Sequence, residues 1–198
     1  MSPHAKKFCQ WMLTNRKNEM IYRSLHIRFQ KNCLEILAKP PHRYISDKNR
    51  EVYHLGTLAA MSAIWIWCVP LRVSNMCDLT LFCDAPQVLL PAGKNPNLRI
   101  RIFQENTKNG KPIEHRMSPG RHRGIEIVKW YVDKIRPTIP GAKQSQYSFP
   151  ASSGSGNALS TNNARDWLRK YGAKKGTLAR VIQSMILIDI FLIWIDDV

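Results

Sequence analysis

The run Ile64-Trp65-Ile66-Trp67-Cys68-Val69 is apolar on every side of a helix, and nothing else constrains this chain as much. A helix without a polar face has to be enclosed by the rest of its own fold. The helix reads from Asp47, with Ser46-Asp47 as its capping pair, to about Cys68, and Pro70 breaks it. Leu55, Leu58, Ala59, Ser62, Ala63 and Ile66 give it a face rich in small residues, which suits close packing. Its apolar stretch falls well short of the roughly twenty residues a bilayer needs, so it is expected at the centre of the fold, with no membrane as partner.

The flanking segments supply the enclosure. From Asn15 to Ala38, apolar residues recur at Met20, Ile21, Leu25, Phe29, Cys33, Leu34, Ile36 and Leu37, close to helical spacing, and the run ends before Pro40-Pro41. Arg16, Lys17, Arg23, Arg28 and Lys31 take much of the remaining surface, either as a solvated face or as one lying along a phosphate backbone. Beyond Pro70, Ser74-Asn75 can start a short helix through Leu79. Val88-Leu89-Leu90, Leu98 to Ile102 and Ile113 to Met117 are short, partly alternating strands, and Asn109-Gly110 is a hairpin signal between the last two. A helix follows from about Arg123 to Ile135, with Ile127, Val128, Tyr131 and Ile135 on one side. Gly141 to Asn157 is a loop, and Ser160-Thr161 caps a helix that runs through Tyr171 and stops at Gly172. The expected class is α+β, mostly helical with a small three-stranded antiparallel sheet. Residues 1–45 form a short N-terminal helical segment and residues 46–198 the main domain.

Charge narrows the partner. Thirty Lys and Arg against fourteen Asp and Glu leave a net +16 on 198 residues, an excess that attracts polyanions, nucleic acid first among them. With 44% hydrophobic and 22% charged residues, wholesale disorder is excluded. Five cysteines without a CxxC pair argue against a disulfide framework or a zinc site. Cys68, Cys77 and Cys83 read as small core fillers, as a reducing cytoplasm allows. Ser2 to Lys7 is basic, but no apolar signal core follows it. Neither a metal nor a cofactor is expected.

Two motifs carry chemistry. Cys68-Val69-Pro70-Leu71-Arg72-Val73-Ser74-Asn75-Met76 sets an arginine at the mouth of the apolar helix. Glu105-Asn106-Thr107-Lys108-Asn109-Gly110-Lys111-Pro112 sets a lysine at the tip of the strand connection. With a helix, a Phe149-Pro150 loop and another capped helix after them, the order over roughly residues 50 to 172 resembles the catalytic domain of the tyrosine recombinase (phage integrase) family. That resemblance implies that Arg72 corresponds to the family's first catalytic arginine and Lys108 to the lysine of its strand-connecting turn. A guanidinium fork can clamp the two non-bridging oxygens on which charge builds as a phosphodiester is attacked. An ammonium can protonate the departing oxygen. Lys111 is the alternative for that role, and Arg99 and Arg101 join Arg72, Lys108 and Lys111 as expected contacts to double-stranded DNA. Asn75 stands where many relatives carry glutamate.

The resemblance also implies a His-x-x-Arg segment, a Gly-His pair and a nucleophilic tyrosine, and residues 173–198 hold no histidine and no tyrosine. Ala179 to Met185 resembles the helix that comes before the Gly-His pair, and Trp194 falls where the nucleophile would be sought. His115, His122 and Arg123 occur in the wrong order and read as solvated basic residues, while Tyr147 and Tyr171 lack a nucleophile's context. The family's separate core-binding domain is short here as well. The expectation is a truncated or degenerate recombinase, cytoplasmic and nucleoid-associated, that binds DNA without cleaving it. The alternatives are a basic nucleic-acid-binding protein unrelated to recombinases and an enzyme that borrows its nucleophile from a partner chain. Met185 to Ile195 reads as a core helix or as a tail that docks on another protomer, intact recombinases included.

Overall fold

The computed structural model describes residue 10 and residues 16–40, 45–107, 110–120 and 122–172. Lys108, Asn109 and the run from Met185 to Ile195 lie outside the described residues. The fold is α+β, with helices around a three-stranded antiparallel sheet.

Instead of one N-terminal helix there are two, α1 (Arg16–Arg23) and α2 (Leu25–Ala38). The junction is a bend rather than a break. Ser24 Oγ donates to the Ile21 carbonyl at 3.1 Å, while the backbone bonds Ser24 N to Met20 O and Arg28 N to Ser24 O continue across it. A hydroxyl that competes for backbone acceptors in this way disturbs a helix locally.

Helix α3 (Ile45–Trp67) is the central element. It starts two residues before the position expected from Ser46-Asp47, so Asp47 lies in its first turn, where a carboxylate favours the helix dipole. From Leu55 to Trp65 every residue is buried. The small side chains allow this enclosure: a Cβ added at Gly56 would stand 2.7 Å from Ile135 Cγ2, inside van der Waals contact. Helix α2 covers one side of α3, and the segment from Gly124 to Ile135 covers another.

After α3 come a short helix α4 (Val73–Cys77) and strands β1 (Val88–Leu89), β2 (Leu98–Ile102) and β3 (Ile113–Met117), in sheet order β1-β2-β3. The register pairs Leu98 with Met117, Ile100 with His115 and Ile102 with Ile113. Leu98, Ile100 and Ile102 are buried and alternate with the half-exposed Arg99 and Arg101. That period of two fixes which face of β2 meets the core. The Asn-Gly signal lies within a longer connection than a two-residue turn. Residues 103–112 separate the paired strands, with a 3₁₀ turn at Gln104–Asn106 and Gly110 at φ +64°.

Helix α5 (Gly124–Trp130) continues as a π turn over Tyr131–Ile135 and a 3₁₀ turn over Arg136–Thr138, where the proline ends regular structure. Ile127, Val128, Tyr131 and Ile135 are all buried, as their spacing predicts. Helix α6 (Thr161–Gly172) begins with the expected cap: Asn163 N donates to Ser160 Oγ at 3.2 Å. No helix among the described residues is long and apolar enough to cross a membrane.

Candidate nucleic-acid interface

The segment that carries Arg72 is anchored on both sides. Cys68 N and Val69 N both donate to the Ile64 carbonyl, closing α3, and the Trp65 indole donates to the Leu71 carbonyl. Leu71 and Val73 are buried, Arg72 between them is half-buried, and its carbonyl accepts from Met76 N at 2.9 Å to open α4. Two buried apolar anchors thus fix the backbone on either side of one half-buried arginine.

Beside this segment lies a cleft of about 590 Å³. Ser74, Asn75 and Asp78 form one wall, Ile102, Phe103 and Asn106 a second, and Gln146 and Tyr147 a third; Thr80, Cys83, Ala85 and Gln87 complete it. Gln87 Oε1 accepts from Thr80 N at 3.1 Å, and Gln87 N donates to Thr80 Oγ1 at 3.2 Å, so that floor is tied to itself. Burial raises the Asp78 carboxyl above its ordinary value. Cys83 is half-exposed and lines this cleft, so it is not the core filler expected of it; Cys77 is.

Arg136 holds the third wall. It is buried, and its guanidinium donates from Nε to Tyr147 O at 3.1 Å and from one terminal nitrogen to Ser145 O at 2.7 Å and Tyr147 O at 2.8 Å. The exposed Phe82 ring covers it at 4.5 Å. On its other edge the same loop is stitched to residues 79–82. Leu81 N and Phe82 N donate to Gln146 O, and Ser148 N donates to Leu79 O at 2.7 Å. Sequence reading passed over Arg136, because an arginine before a proline at a helix end normally faces solvent.

Asn75, three residues after Arg72, and Asn106, two residues before Lys108, line one cleft. Among the described residues the lining contains no lysine or arginine. Arg99 and Arg101 lie on the outer face of the sheet, and Lys111 is exposed on the connection between β2 and β3. On that outer face Arg101 pairs with Glu114 at 3.4 Å, and Arg116 reaches the same carboxylate at 3.6 Å. Arg99 stands directly opposite Arg116 in the register, and its buried Nε has no hydrogen-bond partner among the described residues. Like charges directly across a strand pair are unfavourable and invite an anion. Arg116 was missed because the face it occupies depends on the strand register.

Two histidine clusters lie elsewhere. His122 is not simply solvated: its ring stacks on Trp67 at 4.4 Å and its carbonyl lies 2.6 Å from His26 Nε2. Arg123 is exposed at φ +58° and His115 is exposed. His54 stacks on Trp167 at 3.8 Å, and its Nδ1 lies 3.1 Å from the Tyr171 hydroxyl. Burial, with smaller contributions from Lys170 and Arg50, pushes His54 down to about 4. Tyr171 is itself buried, which raises its hydroxyl above the ordinary value. Among the described residues no three His, Cys, Asp or Glu side chains group to hold a metal ion. No family model, curated protein or solved structure matches the chain.

Proposed function

We propose that the chain is a DNA-binding protein of tyrosine recombinase (phage integrase) descent that holds a phosphodiester without cutting it. One observation carries the reading: the segment after Arg72 and the segment before Lys108, some thirty residues apart in sequence, line one cleft. A surface charge of +16 supplies the long-range attraction that a polyanion needs. In this reading Arg72 engages the phosphate from the rim of the cleft, and Lys108 or Lys111 reaches it from the strand connection. The cations of the sheet's outer face, Arg99, Arg101 and Arg116, add contacts to the flanking backbone. The reading without cleavage is supported by the residues at hand. Residues 173–198 hold no tyrosine, and the Tyr171 hydroxyl is buried against His54.

Fluorescence anisotropy with a labelled duplex tests this reading. If Arg72, one of Lys108 and Lys111, Arg99, Arg101 and Arg116 each neutralise one phosphate, log K falls with log salt at a slope of about −4.5. Arg72→Ala costs about 1–3 kcal/mol of binding, as expected for charge-assisted bonds to a phosphate. A salt-independent affinity refutes the reading. Nicked suicide substrates separate binding from cleavage: no covalent adduct is expected, and a phosphotyrosine at Tyr147, whose ring lines the cleft, would make the chain a strand-cleaving enzyme.

A further inference from the structure

The cleft beside Arg72 has a character at odds with the rest of the molecule. On a chain of net charge +16, the described residues of its lining include no lysine, arginine or histidine, and Asp78 is the carboxylic acid among them. Among these described residues a phosphate inside would meet a carboxyl and no cation, an arrangement that favours an uncharged group over an anion. It carries instead carboxamides on all three walls: Asn75 on α4, Asn106 on the strand connection and Gln146 on the loop. Asn75 is half-buried and Asn106 and Gln146 are exposed, so their amides are accessible to a ligand. Between them stand two aromatic side chains, Phe103 and Tyr147.

We infer that this cleft takes a nucleobase, while the phosphate attached to it stays outside at Arg72. The inference rests on the DNA-binding reading for the phosphate and extends it by assigning the cleft's interior. Each carboxamide offers a donor and an acceptor side by side, the pattern that reads a base edge. An aromatic ring offers a stacking face to any base. The volume of about 590 Å³ is in the range of pockets that enclose a ligand of nucleotide size. The walls are preorganised for this: Arg136 and the Leu79–Phe82 backbone hold the Gln146–Tyr147 loop before any ligand arrives.

The same chemistry is presented by an unstacked nucleotide of a DNA strand and by a free mononucleotide, and the test separates them. In the first arm the full-length protein is titrated with a paired duplex and with the same duplex carrying 2-aminopurine opposite an abasic position. Stacking and edge contacts with an unpaired base predict at least about tenfold tighter binding of the second duplex, with a change in 2-aminopurine fluorescence. Tyr147→Leu and, independently, Asn75→Ala abolish that preference, whereas Arg72→Ala weakens both duplexes alike. In the second arm deoxyadenosine monophosphate is added while the side-chain amide resonances of Asn75, Asn106 and Gln146 are followed by NMR. Shifts there without any duplex binding support the nucleobase cleft, assign it to a free nucleotide and overturn the DNA reading. Equal binding of both duplexes, with no fluorescence change and unmoved amide resonances, overturns the nucleobase cleft and leaves the DNA reading standing. Failure of both arms overturns both.

Discussion

Replacing His54 by glutamine and following urea unfolding from neutral pH down to about pH 4.5 tests how the helical core is closed. In the folded chain this imidazole is sandwiched against Trp167, hydrogen-bonded to the Tyr171 hydroxyl, and faced by the cations Lys170 and Arg50. Burial is the larger cause and positive charge the smaller, and both oppose a second proton, so the folded state titrates at about 4 against 6.5 for an unconstrained histidine. A depressed value means that the unfolded chain takes up the proton first. Stability is therefore at its full value above pH 6.5, falls by about 1.4 kcal/mol for each pH unit below it, and levels off near pH 4. The total loss is about 3 kcal/mol, with about 2 kcal/mol gone by pH 5, a large part of what a domain of this size possesses. Glutamine keeps a polar group near Tyr171 but does not titrate, so the variant lacks this part of the slope. His26, which burial also depresses, contributes equally to both proteins and cancels in the difference. Parallel stability curves for the two proteins between pH 6.5 and 4.5 would refute the argument, since they would mean that His54 is protonated as readily in the fold as outside it.

Two further substitutions probe the packing that positions the cleft. Gly56→Ala costs about 1–3 kcal/mol despite alanine's better helix propensity, because its Cβ would meet Ile135 Cγ2 at 2.7 Å. Thermal melts of the double variant with Ile135→Ala are then expected to show less than the sum of the two single effects, and strict additivity would place the clash elsewhere. Arg136→Met leaves the Ser145 and Tyr147 carbonyls without their donor and costs about 3 kcal/mol. Hydrogen exchange at the Leu81 and Ser148 amides, which pair with this loop and its neighbour, accelerates ahead of the core, and unchanged protection there contradicts the role given to Arg136.

What could be read from the sequence was whatever depends on near neighbours. Apolar residues at helical spacing located α3 and α5, and the Ser160 cap that located α6 appears where its residue type places it. The alternation of Leu98, Arg99, Ile100, Arg101 and Ile102 already assigned the inward face of β2. Features that need a distant partner were silent. His54 lies within the apolar pattern of α3 between Tyr53 and Leu55, and nothing near it announces a hydroxyl at Tyr171. Arg136 resembled any basic residue at a helix end until the loop from Ser145 to Tyr147 folded back over it.

The cleft is the clearest such case, because an isolated Asn or Gln in a loop carries no signal at all. Asn75, Asn106 and Gln146 acquire a common purpose only when α4, the strand connection and the loop close on one another. The motif around Arg72 and Lys108 drew attention to this part of the chain for a different reason, the charge that a phosphate requires. The two kinds of residue act on different quantities. Surface cations set how strongly and how fast any nucleic acid is drawn in, and their effect fades with salt. A cleft lined by carboxamides and aromatic side chains contributes only when a particular group enters it, and salt touches that contribution less. In our reading the ratio between the two duplexes should therefore persist at ionic strengths that weaken both affinities together, and a ratio that vanished with rising salt would assign the preference to backbone charge instead of the cleft.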